Sequence, residues 1–213
     1  MAKYHINPRG EVGICTAAKR PCPLSPEKLH FSDAETAREA AEQRLAREYH
    51  IRSFYTPSGA EELEFLLSYD VTAYGKDRLT TVDNVIYDGD SDAILMIRRG
   101  GFPWRGCWAL PGGFIDGEEA AVHAAARELS EEAGFTVESP VESKGTLAGD
   151  SLDPRGYLET EVFLARVDRD AISAEAGDDA DEVRWVPRSE LAELTEEGRL
   201  VPHHLTLIQQ ALS

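Results

Sequence analysis

Glu128, Glu131 and Glu132 stand in the relation i, i+3, i+4 inside a stretch rich in Ala, Glu and Arg, Glu118 to Ala133, a composition that favours a helix. On a helix this spacing brings three carboxylates to one face, where like charges destabilise unless something cationic neutralises them. Oxygen-only donors suit a hard divalent cation such as Mg²⁺ or Mn²⁺ rather than zinc. The plain alternative is a solvated acidic face in a chain that holds 39 Asp and Glu. Around the glutamates, Asp116 can cap the helix with Glu119 answering it at the third position. Gly134 stops the helix in the C′ role. Ala120, Ala121, Ala124 and Ala125 allow close packing onto a sheet.

Strands must position that helix. Leu79–Tyr87 is β-branched and aromatic and ends at the turn dipeptide Asp88-Gly89. Ala93–Ile97 is a short buried run followed by Arg98-Arg99-Gly100-Gly101, and a Trp- and Gly-rich irregular stretch, Phe102–Gly117, leads into the helix. Glu161–Val167 and Glu182–Val186 read as further strands, and Ser189–Ser213 as one or two helices. Strands alternating with helices predict an α/β domain, with a mixed sheet where neighbours are turn-linked.

Lys and Arg number 22 against 39 Asp and Glu, a formal net charge of −17. A surface that acidic repels phosphate backbones and argues against general nucleic-acid binding. No apolar run approaches the length of a membrane span, the start lacks the apolar core of a secretory signal, and three cysteines form no disulfide framework. A cytoplasmic location is expected. Residues 1–50 are nearly neutral, with eight basic and seven acidic side chains, so the charge lies beyond the turn signal Thr56-Pro57-Ser58-Gly59. Residues 1–50 are expected to form a small accessory segment, 51–69 a connector and 70–213 the main domain. In the accessory segment, prolines exclude long elements up to about residue 30; a helix then runs Ala34 to Tyr49, with Ser32 and Glu35 read as a capping box. Residues 61–74 read as a short helix and then a strand. His5, Cys15, Cys22 and His30 could hold zinc, although their spacings lack a tight Cys-x2-Cys knuckle. His123, His203 and His204 read as structural.

The stretch Gly113–Phe135 matches Gly-x5-Glu-x7-Arg-Glu-U-x-Glu-Glu-x-Gly-U, where U is a bulky hydrophobic, at every fixed position: Gly113, Glu119, Arg127, Glu128, Leu129, Glu131, Glu132, Gly134 and Phe135. Chance would supply such a match on the order of once in a million. The chain therefore resembles the Nudix hydrolases, over roughly residues 70–213. The resemblance implies an α/β/α sandwich with a mixed sheet, and Mg²⁺- or Mn²⁺-dependent cleavage of a nucleoside diphosphate linked to a second moiety. It implies Glu128, Glu131 and Glu132 as metal-binding catalytic residues with the Gly112 carbonyl as a further ligand. Gly113, Glu119, Arg127 and Gly134 brace the loop–helix–loop. Bound cations would reverse the local charge and let an acidic protein take an anionic substrate.

The run from Arg98 to Phe114, Asp153-Pro154-Arg155-Gly156 and Ala176–Ala180 with Trp185 resemble ADP-ribose-cleaving members. Arg155, Arg99 and Trp104 are then the expected substrate-binding residues, guanidinium groups gripping phosphate bidentately; Trp108 reads as core. The expected reaction converts ADP-ribose to AMP and ribose 5-phosphate. The general base is either Glu131 or a carboxylate of the segment Glu175–Asp181. Rival readings are a nucleoside-triphosphate pyrophosphohydrolase and a non-catalytic nucleotide sensor. Related regulators append a winged helix, for which the roughly 25 residues after Arg188 are too few. The expected partner is a small nucleotide, without nucleic acid or membrane; a homodimer is compatible with the resemblance. Because residues 1–50 contribute nothing to the motif, their removal should leave kcat within about tenfold of the full chain, checked by steady-state kinetics of the truncated protein.

Overall fold

The central strands are apolar on both faces, so the sheet requires cover on each side. A computed structural model describes residues 4–6, 12–14, 30–49, 61, 62, 65, 78–137, 141–177 and 180–213. In it, β1 (Tyr4–Ile6) and β2 (Val12–Ile14) form an antiparallel pair, followed by α1 (Ala34–Tyr49). The main sheet comprises β3 (Leu79–Asp88), β4 (Ala93–Arg99), β5 (Trp108–Ala109), β6 (Gly112–Phe114), β7 (Glu142–Asp153), β8 (Gly156–Val167) and β9 (Ala180–Pro187). Helices α2 (Ala121–Ala133), α3 (Leu191–Glu196) and α4 (His204–Ala211) accompany it.

Side-chain alternation along the strands builds the layers. Val82 and Ile86 of β3, with Phe163 and Ala165 of β8, pack under Ala124, Ala125, Leu129 and Ala133 of α2. The opposite face presents Val85, Tyr87, Val162 and Leu164 to Leu207, Ile208 and Ala211 of α4. The expected α/β/α sandwich is what forms, and its sheet is mixed: β3 runs parallel to β8, while the β7–β8 and β4–β9 pairs are antiparallel. Next to their connecting turn β3 and β4 pair at Tyr87↔Ile94 and Asp88↔Ala93. Beyond that point β3 takes β6 as partner and β4 takes β5, while β9 pairs with β4 along its whole length. The sheet splits there, and a cleft occupies the split.

Several local expectations need correction. Helix α2 begins at Ala121 rather than Glu118, and no side chain caps it. Arg127 holds Glu119 outside the helix, and the Glu119 carboxylate accepts from the Asp116 N–H across the positive-φ turn at Gly117. At α1 the cap is Asp33, not Ser32: Asp33 Oδ1 accepts from the Thr36 N–H and hydroxyl, and Ser32 only donates to the same carboxylate. Strand β7 was not anticipated, because Gly145, Gly149 and Asp150 dilute its pattern and pairing with β8 supplies its stability. The stop at Gly134 is as expected, with φ 71° in the left-handed region.

In the accessory segment α1 lies against β1 and β2 and touches β7. Cys15, Cys22, the turn at 56–59 and most of 61–74 lie outside the described residues; Glu61, Glu62 and Phe65 are helical, and His30 is exposed. Among the described residues no helix is long and apolar enough to cross a membrane.

Buried Asn84 ties the layers together. Its side-chain amide donates to the Pro111 carbonyl at 3.3 Å and to the Ala125 carbonyl at 3.0 Å, linking β3 to the β5–β6 loop and to α2. Asn84→Ala should destabilise the fold by about 1–3 kcal/mol, seen as a lower urea midpoint at unchanged m.

Candidate active site

The cleft where the sheet splits has a volume of about 390 Å³ and is lined by residues from β3, β4, β6, α2, the β7–β8 turn and the start of α4. One wall is acidic. Glu132 is only 7% exposed, and its Oε2 accepts from the Gly112 N–H at 2.8 Å. Glu128 lines the same wall one turn earlier; a Cβ on Gly113 would stand 2.5 Å from its carboxyl group, so only glycine leaves that carboxylate its place. Gly112 is equally constrained, since a Cβ there would meet the Val82 carbonyl at 2.1 Å.

Arg127 organises this wall. Its Nη2 donates to the Phe114 carbonyl at 2.8 Å and to Glu119 Oε2 at 3.0 Å. Its Nη1 donates to Glu128 Oε1 at 2.7 Å and to Glu131 Oε2 at 3.1 Å. These bonds hold the guanidinium pKa above its ordinary value. Glu131 lies at the rim, half exposed, while Glu128 and Glu132 face the cleft. Burial pushes Glu132 up to about 8, with the charges of Glu128 and Asp83 adding to it, and raises Glu128 for the same first reason. Two desolvated carboxylates with only partial compensation are a donor set a hard divalent cation fits.

The other wall is basic. Arg99, at the end of β4, is half-buried, and desolvation followed by repulsion from Arg155 lowers its pKa; its Nε donates to the Pro103 carbonyl at 2.8 Å. Arg155 meets buried Asp153 through two bonds, Nε to Oδ1 at 2.9 Å and Nη2 to Oδ2 at 2.8 Å, within the β7–β8 turn. Trp104 is buried against Ile97, Cys107, Ala109 and Val201 and also lines the cleft, whereas Trp108 belongs to the core with the Arg184 guanidinium 4.5 Å over its ring. All three expected substrate-binding residues, Arg99, Trp104 and Arg155, therefore meet in one cleft with Glu128 and Glu132.

Sequence reasoning missed Asp83, His203, His204 and Glu62. The histidines, read as structural, line the cleft. Asp83 and Asn84 interrupt an otherwise apolar strand, a signal available beforehand; nothing tied Pro202-His203-His204 or Glu62 to the motif. Asp83 Oδ2 accepts from the Thr160 hydroxyl at 2.6 Å, and burial pushes Asp83 up to about 6. Ligand-capable atoms of Asp83, His203 and His204 lie within 4.8 Å of one another. They do not suit a metal. His204 Nδ1 accepts from the Leu110 N–H at 2.8 Å, which puts the proton of the neutral ring on Nε2, facing Asp83 Oδ1 at 3.6 Å.

The segment expected to offer a general base docks on the end of α2: the Glu175 N–H donates to the Ala133 carbonyl and the Gly177 N–H to the Glu132 carbonyl, each at 3.1 Å. Asp178 and Asp179 lie outside the described residues.

A family model described as the NUDIX domain matches residues 77–210. The chain belongs to the Nudix family. It is 36% identical over 115 residues to the ADP-ribose pyrophosphatase of Methanocaldococcus jannaschii, covering 53% of this chain and 64% of that protein. It is 31% identical over 159 residues to the ADPR responsive transcriptional repressor NtrR of Acinetobacter baylyi, covering 72% and 60%. The chain thus spans less than two thirds of either curated relative. Among solved structures, the NUDIX domain of Shewanella oneidensis NrtR complexed with ADP ribose matches with a TM-score of 0.58 at 29% identity, covering 71% of this chain and 96% of that one. The bifunctional NMN adenylyltransferase/ADP ribose pyrophosphatase of Francisella tularensis matches with a TM-score of 0.57 at 26% identity, covering 72% and 44%.

The raised carboxyls of this Nudix domain give a pH signature. A group with pKa about 8 folded and 4.5 as its ordinary value binds more protons folded than unfolded between those limits, so stability falls as pH rises through that window. In chelator, Tm should drop from about pH 6.5 towards pH 8, above the range in which the buried, neutral His203 and His204 titrate on unfolding and oppose the trend, and Glu132→Gln should flatten that slope, measured by thermal unfolding across pH.

Proposed function

We propose that this protein is a divalent-metal-dependent pyrophosphohydrolase acting on a nucleoside diphosphate derivative, ADP-ribose foremost, and yielding AMP and ribose 5-phosphate. The observation that carries the reading is the facing of two walls in one cleft, the carboxylates Glu128 and Glu132 against the guanidinium groups of Arg99 and Arg155. Likeness to an ADP-ribose pyrophosphatase and to an ADP-ribose-bound Nudix domain supports the substrate class.

Glu128, Glu131, Glu132 and the Gly112 carbonyl would hold Mg²⁺ or Mn²⁺, which supplies charge neutralisation at the pyrophosphate and a more acidic bound water. Gly113, Glu119, Arg127 and Gly134 keep these groups in register, Arg127 through its bonds to Glu119, Glu128, Glu131 and the Phe114 carbonyl. Arg155, fixed by Asp153, and Arg99 orient the phosphates and offset their charge. The proton of the attacking water goes to Glu131 or to an acid of the segment Glu175–Asp181. The accessory segment 1–50, with or without zinc on His5, Cys15, Cys22 and His30, acts on stability rather than on this chemistry.

The second reading, a ligand sensor that does not turn over, draws on likeness to the repressors. A complete carboxylate set favours hydrolysis. The decisive measurement is product release from a substrate panel with and without Mg²⁺. Glu132→Gln or Glu128→Gln should lower kcat about a hundredfold or more while the protein stays folded, and Arg155→Ala should raise KM for ADP-ribose more than it lowers kcat. Near-full activity of both glutamine variants at saturating Mg²⁺ rules out this wall as the catalytic centre, and faster turnover of nucleoside triphosphates moves the protein to that substrate class.

A further inference from the structure

The segment just ahead of the Nudix domain reaches the loop that lines the cleft. Glu61, Glu62 and Phe65 precede the stretch 77–210 that the family model matches, yet all three meet the turn Phe102–Arg105 between β4 and β5. Glu62 Oε1 accepts from the Trp104 N–H at 2.6 Å. The Phe65 and Phe102 rings stand 5.7 Å apart between centroids, and Phe65 packs on the cluster that holds Trp104. Arg105 Nη1 donates to Glu61 Oε2 at 3.5 Å, on the surface.

Among these contacts the one at Glu62 is chemically demanding. Glu62 is 6% exposed, and a buried carboxylate is unfavourable unless it is hydrogen-bonded. Its partner is a main-chain N–H at a position that needs holding, since Trp104 has φ 61°, a left-handed conformation unusual for a large side chain. The acceptor for that N–H comes from 42 positions upstream.

The same peptide group holds Arg99. The Trp104 N–H that Glu62 accepts and the Pro103 carbonyl that accepts from Arg99 Nε at 2.8 Å belong to one peptide plane. That plane is rigid, so fixing its N–H edge fixes its carbonyl edge. A carboxylate on the N–H also polarises the peptide and makes its carbonyl a stronger acceptor. The rest of the loop is tied to Arg99 as well: its N–H donates to the Cys107 carbonyl at 2.9 Å, and its carbonyl accepts from the Gly106 N–H at 2.7 Å. Arg99, Phe102 and Trp104 all line the cleft.

We propose that Glu62 is a positioning residue for substrate binding, orienting the Arg99 guanidinium through the Pro103–Trp104 peptide. The Nε bond sets the plane of the guanidinium, and its Nη fork would then meet a substrate phosphate in a defined direction. The role rests on the pyrophosphohydrolase reading for its substrate, and its test separates the two.

The test compares the full wild-type chain with Glu62→Met and Glu62→Gln. Methionine keeps the volume but is a weak acceptor at best, whereas glutamine keeps a side-chain oxygen for the Trp104 N–H. Glu62→Met should raise KM for ADP-ribose about tenfold, the effect of one lost hydrogen bond, with kcat within about twofold. Glu62→Gln should restore KM to within about threefold of wild type. In an Arg99→Ala background Glu62→Met should raise KM less than about twofold, because a residue acting through another adds nothing once that other is gone. A readout that needs no ligand is solvent exchange of the Arg99 Nε–H, its resonance assigned by its loss in Arg99→Ala. Exchange should quicken about tenfold in Glu62→Met and stay near wild type in Glu62→Gln.

Quickened exchange without hydrolysis of any nucleotide tested overturns the activity and keeps the positioning role. Unchanged exchange and unchanged KM in an active enzyme overturn the role and leave the activity standing. A fall in kcat at constant KM, with a lower urea midpoint, makes Glu62 merely structural and overturns the proposal. So do additive effects with Arg99→Ala, or a glutamine variant as impaired as the methionine, which assigns the effect to charge.

Discussion

One guanidinium group holds the acidic wall of the cleft together. Arg127 reaches back to Glu119 and the Phe114 carbonyl before α2, and along the helix to Glu128 and Glu131. The loop that leaves β6 and the helix that follows it are thereby fixed to each other. Without this cation the glutamates would repel one another on a helix that has no side-chain cap to steady its start. Gly112 and Gly113 complete the arrangement by letting β6 run against β3 and leaving the Glu128 carboxylate in place. Glu132 then reaches the Gly112 N–H, closing the helix onto the strand.

The cleft is built from opposed charges that are only partly compensated. Burial raises Glu132 and Asp83 and lowers Arg99, so each ionised form is less favourable there than in water. Such a cavity gains from a divalent cation on one wall and an anionic phosphate on the other. On the proposed function, a chain of net charge −17 would in this way accept a nucleotide. The long-range field opposes such a ligand, and the local groups together with a bound cation would decide its binding.

Much of the fold was legible in advance because its strands are β-branched runs with clear turn signals, as at Leu79–Asp88 and Ala93–Arg99. The spacing of Glu128, Glu131 and Glu132 was likewise legible, since helical geometry is local. Strand β7 was not: its glycines and Asp150 give no periodic signal, and it exists through its ladder with β8. The start of α2 was misplaced because the bond from Arg127 to Glu119 competes with a capping box that sequence spacing alone suggests.

The sequence by itself determined the family motif, the metal-suited carboxylates and the alternation of strands and helices that gives an α/β domain, each of which follows from residue type and short-range spacing. The α/β/α sandwich and the choice of Arg99 and Arg155 came only through the resemblance that the motif carries. The tertiary structure alone decided that β3 and β4 part company after one turn and open a cleft between them. It alone brought Asp83, His203 and His204 to the floor of that cleft and set Glu62 against the Trp104 backbone. Those residues are separated by scores of positions, and their meeting depends on which strands pair, a long-range outcome that no local pattern encodes.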